Sequence, residues 1–387
     1  MELYFHIPFC VRKCAYCAFD SFPGCSRQEM ERYVAALIRE VTEQQRLITE
    51  PIETVYIGGG TPSLLPPDLL KHLVTETGAL ADLSSVTEFT AEANPGTITD
   101  DWLHTAVSCG VNRISFGVQA VQDSLLRTLG RIHGFGEAID SVKAARQFGL
   151  DNISVDLIFG IPGQSMDDWK QTIRSVLQLA PNHISAYGLI PEEGTPLFRD
   201  LESGKLSLPD PDLERDMYDT AIHLLSCAGY RQYEISNFAL PGCECRHNIG
   251  YWDQIPYLGF GLSAASMVRT ADPVTSCFSR RWTNPSAFRE YLELTEHPAQ
   301  REALVENISP EEARFETVML SLRMTSGIKR SRFRELHGAD PEYWYHDVLE
   351  KLRTRDLLKF EDDSWRLTRR GMDIQNSVLL EFMDQHA

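Results

Sequence analysis

The sequence of 387 residues lacks the features of a membrane or secreted protein. It has no uncharged apolar run of the ~20 residues that a membrane-spanning helix needs. It begins with MELYFHIPFC, which has neither the basic start nor the apolar stretch of a signal peptide. Its nine cysteines are odd in number and scattered, which does not suit a disulfide scaffold. We therefore expect a cytoplasmic protein.

Cationic residues are also scarce, since 37 Lys and Arg stand against 55 Asp and Glu, a formal charge of −18. Binding along a phosphate backbone needs clustered cations, so this balance predicts that nucleic acid is not a partner. The tail pieces KRSRFREL and RLTRRG, around residues 329–336 and 366–371, are the exception. Acidic residues lie between them, which favours a solvated or domain-packing surface over a nucleic-acid face.

The first 190 residues repeat a short apolar run, a loop marked by Gly or Pro, and a helical stretch. This alternation is typical of βαβ units with a parallel sheet. No early Gly-x-Gly-x-x-Gly turn is present, so a curved, barrel-like α/β sheet is favoured over a dinucleotide-binding fold. The predicted strands are Leu3–Ile7, Thr54–Ile57, Glu88–Ala93, Arg113–Val118, Ile153–Phe159 and Ile184–Ile190. The predicted helices include Gln28–Arg46, Asp68–Glu76, Phe135–Phe148 and Met166–Leu179.

Composition changes along the chain predict how it is divided. We expect a barrel over residues 1–230, an aromatic-rich segment and connection packed on it over 231–305, and a small domain over 306–387. The last part predicts helices at Pro310–Leu322, Arg332–Leu336 and Trp344–Leu352, followed by a hairpin in LLKFEDDSWRLT. That combination is typical of a winged-helix-like domain.

Cys10, Cys14 and Cys17 form a C-x3-C-x2-C motif directly after the first predicted strand. Soft thiolate ligands favour an iron–sulfur cluster or zinc over hard cations. A closed structural zinc site would normally need a fourth protein ligand nearby. Three cysteines on a [4Fe–4S] cluster instead leave one iron open to another ligand. Three unrelated buried thiols are the alternative.

With this spacing after its first strand, the chain resembles the radical S-adenosylmethionine (SAM) superfamily. The resemblance implies a partial (β/α)6 TIM-like barrel, a [4Fe–4S] cluster on the three cysteines, and SAM bound to the open iron. It also implies an electron donor such as flavodoxin or ferredoxin. Residues expected to bind SAM are Tyr4, Tyr16, Gly58, Gly59, Gly60, Thr61, Glu92, Gln119, Arg131 and Asp156. Taken singly, the glycines are typical of a tight turn and the charged residues of a salt bridge or a cap.

Within the superfamily, the motifs YFHIPFC, GGGTPS, EANPG, RISFGVQ and DLIFGIPGQ resemble the oxygen-independent coproporphyrinogen III oxidase group. The chain departs from the oxidases in two places. Phe19 stands where they carry a further cysteine, and few residues precede the first strand where they have a longer arm. A shorter arm leaves fewer groups to enclose a porphyrinogen, which argues against decarboxylase activity.

The string His247-Asn248-Ile249-Gly250-Tyr251-Trp252 is similar to the haem-binding motif of the radical SAM haem chaperones (HemW type). A neutral imidazole is a good axial ligand for haem iron, and aromatic faces suit a macrocycle. From the residues alone, a histidine among aromatic residues is more often a hydrogen-bonded structural histidine, and the resemblance is what favours a haem ligand at His247. A second metal site at Cys243, Cys245 and His247 is a further alternative, although it lacks a convincing fourth ligand.

The resemblance implies a haem chaperone that carries haem near His247, Asn248, Tyr251 and Trp252. Its partners would be haem and haem-requiring apoproteins, among them respiratory enzymes, and its cluster could support a homodimer. Whether it is also an enzyme is left open. The alternative is an oxidase that forms protoporphyrinogen IX from coproporphyrinogen III by radical decarboxylation, and an RNA-modifying enzyme rests only on the basic tail pieces.

Overall fold

Residues 1–270 and 277–383 are described by a computed structural model. Six parallel strands form the centre of one curved sheet, and each pairs with the next in chain order. They are β1 Glu2–Ile7, β2 Thr54–Gly59, β3 Glu88–Ala93, β4 Arg113–Gln119, β5 Asn152–Phe159 and β6 His183–Gly188. Both faces of these strands are largely buried, as their apolar runs require. The predicted α/β barrel fold is confirmed.

Helices cover the outside of this sheet and connect its strands. They are α1 Arg27–Gln44, α2 Pro67–Leu80, α3 Asp100–Ser108, α4 Asp123–Thr128, α5 Phe135–Gln147, α6 Met166–Leu177, α7 Pro196–Glu202 and α8 Pro211–Cys227. Two of them begin at a serine that forms a capping box with an acidic residue three positions on, Ser26 with Glu29 and Ser165 with Asp168. Short 3₁₀ turns lie at Gln45–Leu47 and Pro62–Leu64.

The sheet continues beyond both edges of the barrel, which the sequence patterns did not predict. The added strands are β7 Arg231–Gln232, β8 Asn237–Ala239, β9 Tyr257–Phe260, β10 Ala265–Arg269, β11 Ser279–Thr283 and β12 Glu306–Ile308. The full order is β12-β11-β10-β9-β1-β2-β3-β4-β5-β6-β8-β7. Strand β9 is parallel to β1, whereas β10 to β12 are antiparallel to their neighbours. Strands from the described parts of residues 231–305 are thus built into the barrel sheet itself.

Helix α9, Arg246–Trp252, closes the amino-terminal end of the barrel. Its first backbone amides, those of Arg246 and His247, donate to the carboxylate of Glu88, which begins β3. A side chain at Gly250 would place its Cβ 1.8 Å from the carboxylate of Glu2, which begins β1. Glycine therefore allows α9 to pack against the strand. Because the cysteine motif follows the other end of β1, the two sequence motifs lie at opposite ends of the barrel.

The C-terminal part has its own hydrophobic core, which includes Val318, Phe333, Leu349 and Trp365. Helix α10 Phe288–Glu296 and a 3₁₀ segment Pro298–Leu304 precede this part. Its own elements are α11 Pro310–Ser321, β13 Ile328–Lys329, α12 Arg330–His337, α13 Glu342–Thr354, β14 Leu358–Glu361, β15 Ser364–Leu367, α14 Arg369–Asp373 and α15 Gln375–Met383. The strands pair in the order β13-β15-β14. This succession is that of a winged helix, as predicted.

Polar contacts attach this C-terminal part to the barrel. Thr317 donates to Gln254 at 2.6 Å, and Arg323 pairs with the buried Glu234 at 2.9 Å. The basic tail pieces also form ion pairs, Arg330 and Arg334 with Asp340 in the first piece, and Arg369 with Asp219 of α8 in the second. The predicted boundaries at 230 and 305 stay a prediction. None of the helices in the described parts is both long and apolar enough to cross a membrane.

Candidate functional site

A cavity of about 380 Å³ opens at the carboxyl ends of the barrel strands, where ligands bind in barrel folds. We call it the first cavity. Several residues predicted from the sequence to hold a cluster or SAM line it. They are Cys10, Cys14, Tyr16, Cys17, Gly59, Gly60, Glu92, Gln119, Arg131 and Asp156. Residues from four strands and from the loops that carry the cysteines, Gly60 and Arg131 therefore meet in one place.

The three motif cysteines are free and half-buried on the wall of this cavity. The Cys14 sulfur accepts a hydrogen bond from Arg131 at 3.5 Å, and the Cys10 sulfur lies 3.6 Å from the Thr61 hydroxyl. Within the described ranges, no three His, Cys, Asp or Glu side chains are gathered closely enough for a single metal ion. Three cysteines on one short loop suit a multi-iron cluster, because each of them can bind a different iron.

Glycines of the loop after β2 are required by close packing. Gly59 has a φ of 111°, and a Cβ there would lie 2.6 Å from the His6 ring. A Cβ at Gly60 would lie 2.8 Å from the carbonyl oxygen of Phe9, just before the cysteine motif. The Gly-rich loop therefore lies directly against the backbone that carries Cys10, which a residue with a side chain would not allow.

Glu92, at the end of β3, is a buried carboxyl group with two donors. It accepts from the Tyr56 hydroxyl at 2.8 Å and from the Gly59 amide at 3.0 Å. Burial raises the pKa of Glu92 to about 7, with Asp156 contributing to the rise. Burial also raises the pKa of Asp156, which accepts from Ser115 at 3.2 Å. Two carboxyl groups that are poised to ionise on meeting a cation thus face the cavity.

Arg131 supplies positive charge beside the cysteines. Its guanidinium donates to the Asn94 side chain at 2.6 Å, as well as to Cys14. Although burial acts against its charged form, neighbouring Tyr16 and Cys14 raise the pKa of Arg131. Gln119 has a φ of 67°, where the register between β4 and β5 shifts. Such a bulge turns a side chain toward a site, and here it turns Gln119 toward the cavity.

Several cavity residues were missed by the sequence reasoning. Asn94 accepts a hydrogen bond from Arg131 and donates one to the Thr61 hydroxyl. It lies two positions after Glu92 at the end of a predicted strand, and a polar residue at that place could have been predicted to belong to the site. Tyr187 near the end of β6, with Leu189 and Ile190 directly after it, forms the apolar part of the wall. The apolar run at 184–190 predicts only a strand and gives no sign of this role.

Three residues predicted to bind SAM do not line the first cavity. Thr61 contacts Cys10 and Asn94 from behind the wall. Gly58 is packed between Tyr56 and Glu92. Tyr4 lies in the middle of β1, below the carboxyl edge, and its hydroxyl meets the His6 ring at 3.1 Å.

A second cavity, of about 520 Å³, lies beside β1 and β9 and is covered by α11. Its walls carry many aromatic and thioether side chains. They include Tyr4, Phe19, Tyr251, Trp252, Tyr257, Met267 and Met319. Two residues of the predicted haem motif, Tyr251 and Trp252, are therefore on its surface.

His247 itself is buried, with 1% of its surface exposed. Its Nδ1 lies 2.8 Å from the Thr54 hydroxyl and its Nε2 lies 3.0 Å from the Tyr251 hydroxyl. Burial lowers the pKa of His247 to about 3, so the ring is neutral at physiological pH. In this conformation both ring nitrogens are engaged, and its role as an axial ligand stays a prediction. Asn248 is half-buried in the same helix.

The alternative metal site at Cys243, Cys245 and His247 finds no support in the geometry. The Cys245 thiol lies 3.5 Å from Glu88, and the Cys243 sulfur accepts from Asn182 at 3.8 Å. The three side chains thus point to different partners. No single-ion site involving them is found within the described residues.

Comparison with known proteins assigns the family. Residues 4–176 match the Radical SAM superfamily, and residues 308–374 match the HemN C-terminal domain. The chain is 33% identical over 384 residues to the haem chaperone HemW of Bacillus subtilis, covering 99% of both chains. It is 34% identical over 386 residues to that of Escherichia coli, covering 99% of this chain and 98% of the relative. The chain belongs to the HemW haem chaperone family.

Structural comparison agrees on the fold of this HemW-family chain. It superimposes on the coproporphyrinogen III oxidase (HemN) of Escherichia coli, a radical SAM enzyme, with a TM-score of 0.81. The match covers 98% of this chain and 89% of the oxidase at 22% identity. At that identity the likeness establishes the shared fold alone.

Phe19 lies between the two cavities of this HemW-family chain. Its side chain is 66% exposed and lines both the first and the second cavity. That the oxidases carry a cysteine at this position stays an expectation from the sequence resemblance.

Proposed function

We propose that the protein is a radical SAM haem chaperone. In this proposal it holds a [4Fe–4S] cluster at Cys10, Cys14 and Cys17, binds SAM in the first cavity, and delivers haem to haem-requiring apoproteins. The observation that carries the proposal is full-length similarity to haem chaperones together with three free cysteines facing Glu92 and Arg131 in one cavity.

The residues of the first cavity fit the two cofactors chemically. A bound cluster supplies a low-potential electron and an open iron for SAM. Arg131 lies against Cys14, where it would offset the negative charge of a thiolate-bound cluster. Glu92 and Asp156 would attract the positive charges of SAM, and the apolar wall after β6 would exclude water.

Haem is proposed to be held near the motif of α9. Tyr251 and Trp252 support this placement because both line the second cavity. For His247 to bind iron, its ring would have to give up Thr54 or Tyr251. Haem-dependent movement of α9 is therefore part of the hypothesis that His247 is the axial ligand.

The wider setting is also proposed. An electron donor such as flavodoxin or ferredoxin would reduce the cluster, and respiratory apoproteins are candidate acceptors of haem. A cytoplasmic location and a cluster-dependent homodimer complete the proposal. Exposed Val11, Arg12 and Lys13 within the cysteine loop would offer such a donor both apolar and cationic contacts.

The test compares binding with turnover. Protein reconstituted anaerobically with its cluster is titrated with ferric haem and, in parallel, incubated with SAM, a reductant and coproporphyrinogen III. We expect saturable haem binding and no decarboxylated product. Decarboxylation that needs SAM and Cys10 would instead establish the oxidase, and the absence of saturable haem binding would contradict the chaperone.

A further inference from the structure

The floor of the second cavity is one row of side chains across four adjacent strands. Tyr257, Met267, Arg281 and Glu306 are aligned in register on β9, β10, β11 and β12. Residues opposite each other in a sheet point to the same face. The first three of these line the cavity, so an aromatic ring, a thioether and a guanidinium stand side by side.

Helix α11 forms the opposite wall with Glu316, Met319 and Leu320. Spacings of three and four residues place these side chains on one helix face. One charged contact joins the two walls, since Arg281 pairs with Glu316 at 2.9 Å. Arg281 also pairs with Glu306 on the neighbouring strand at 3.0 Å.

The guanidinium of Arg281 therefore forms ion pairs with two carboxylates. Glu306 belongs to the floor of the cavity, whereas Glu316 belongs to α11. Among the described residues that line the cavity, there is no other arginine and no lysine. Asp20 accepts from Ser263, and the His6 ring is engaged by Tyr4 and by the Asp20 carbonyl group. Arg281 is thus the one cation on the cavity wall, within the described residues, that could receive a ligand carboxylate.

Accordingly, we propose that the second cavity is the haem seat and that a haem propionate replaces Glu316 at Arg281. The inference rests on the proposed function, because haem as the ligand comes from there. Apolar and aromatic walls fit the macrocycle, and a cavity of 520 Å³ is within the range of about 300–1,000 Å³ typical of small-molecule sites.

The exchange has a consequence for the C-terminal part. Glu316 lies on α11, so its release from Arg281 removes an ion pair between that helix and the sheet. Arg281 keeps Glu306 and gains the propionate, which leaves its charge compensated. Haem entry is thereby coupled to the attachment of α11.

The test uses full-length protein and two probes, ferric haem and its dimethyl ester, which lacks free carboxylates. Arg281→Gln should weaken the binding of ferric haem by roughly tenfold to a hundredfold, the range for a lost charged hydrogen bond. It should leave the ester's affinity unchanged, and Arg281→Lys should restore part of the loss. Glu316→Gln should tighten ferric haem binding severalfold, because it removes the competing carboxylate.

Arg280→Gln is the matched control. It is one position away on the opposite face of β11 and pairs with Glu302 at the surface, so it should bind ferric haem like the wild type. Equal losses of ferric haem and ester in Arg281→Gln, or no loss, would overturn the inference. If that variant fails to fold, unchanged or weaker binding by Glu316→Gln would overturn it. A wild type that binds neither probe would instead contradict the proposed function.

Discussion

At the residue scale, the account depends on the states of a few buried groups. Glu92 is the clearest, since burial raises its pKa to about 7 while Tyr56 and Gly59 donate to it. A carboxyl group whose pKa is raised in the folded state is stabilising when protonated, and that contribution is lost as pH rises through 4.5 to 7. A cation bound beside Glu92 would instead favour the ionised form of its carboxyl group.

The raised pKa of Glu92 predicts how SAM binding depends on pH. Because SAM is cationic, it should bind most tightly where Glu92 is ionised, and its affinity should fall roughly tenfold between pH 8 and pH 6. Calorimetric titration of the cluster-loaded protein measures this. Glu92→Gln should bind SAM more weakly and with little dependence on pH. A variant that keeps the wild-type pH dependence would show that another group titrates.

His247 illustrates why a residue's role is hard to predict from a motif. The motif that begins with His247 can be recognised in the sequence. Its hydrogen-bond partner Thr54, however, lies 193 residues away and cannot. Tyr4 lies in the predicted strand Leu3–Ile7, but the sequence does not show that this strand is flanked by β2 and β9. The cysteine motif could be recognised because its three cysteines lie within eight residues of one another, and their role as cluster ligands stays a prediction.

At the element scale, a buried ion pair joins α1 to the segments after β11. Glu40 on α1 is fully buried and meets Arg301 at 2.9 Å and Asn284 at 2.7 Å. It also accepts from the backbone amide of Gly261 after β9. The added half of the sheet is thereby fixed to the outside of the barrel.

Breaking this pair should be strongly destabilising. Arg301→Ala leaves the carboxyl group of Glu40 buried without its cation, which typically lowers the free energy of unfolding by about 3–5 kcal/mol. Arg280→Ala, which removes an exposed pair with Glu302, should change it by less than about 1 kcal/mol. Urea denaturation of both variants measures the difference, and equal effects would refute the role assigned to Glu40.

The elements differ in how far the sequence predicted them. The six barrel strands were found within a few residues, because buried apolar runs alternate with helices at a regular spacing. Strands β9 to β12 were missed. Tyr257–Phe260 pairs with a strand some 250 residues earlier, and nothing in its local pattern shows that partner.

At the scale of the whole molecule, two cavities lie on one continuous sheet and share Phe19. The first holds the cysteines at the carboxyl ends of the strands, and the second lies between the added strands and α11. The C-terminal part covers the second cavity through the Arg281–Glu316 pair. Haem in the second cavity, as proposed, would lie next to Phe19 and outside the proposed SAM site.

The most direct test of the central claim is transfer of haem. Cluster-loaded protein carrying ferric haem is mixed with an apo-haemoprotein, and the acceptor's absorption spectrum is followed after the two are separated. The account predicts transfer that is faster than from free haem, with no decarboxylation of coproporphyrinogen III by the same sample. Haem that never leaves the protein, together with SAM-dependent decarboxylation, would contradict it.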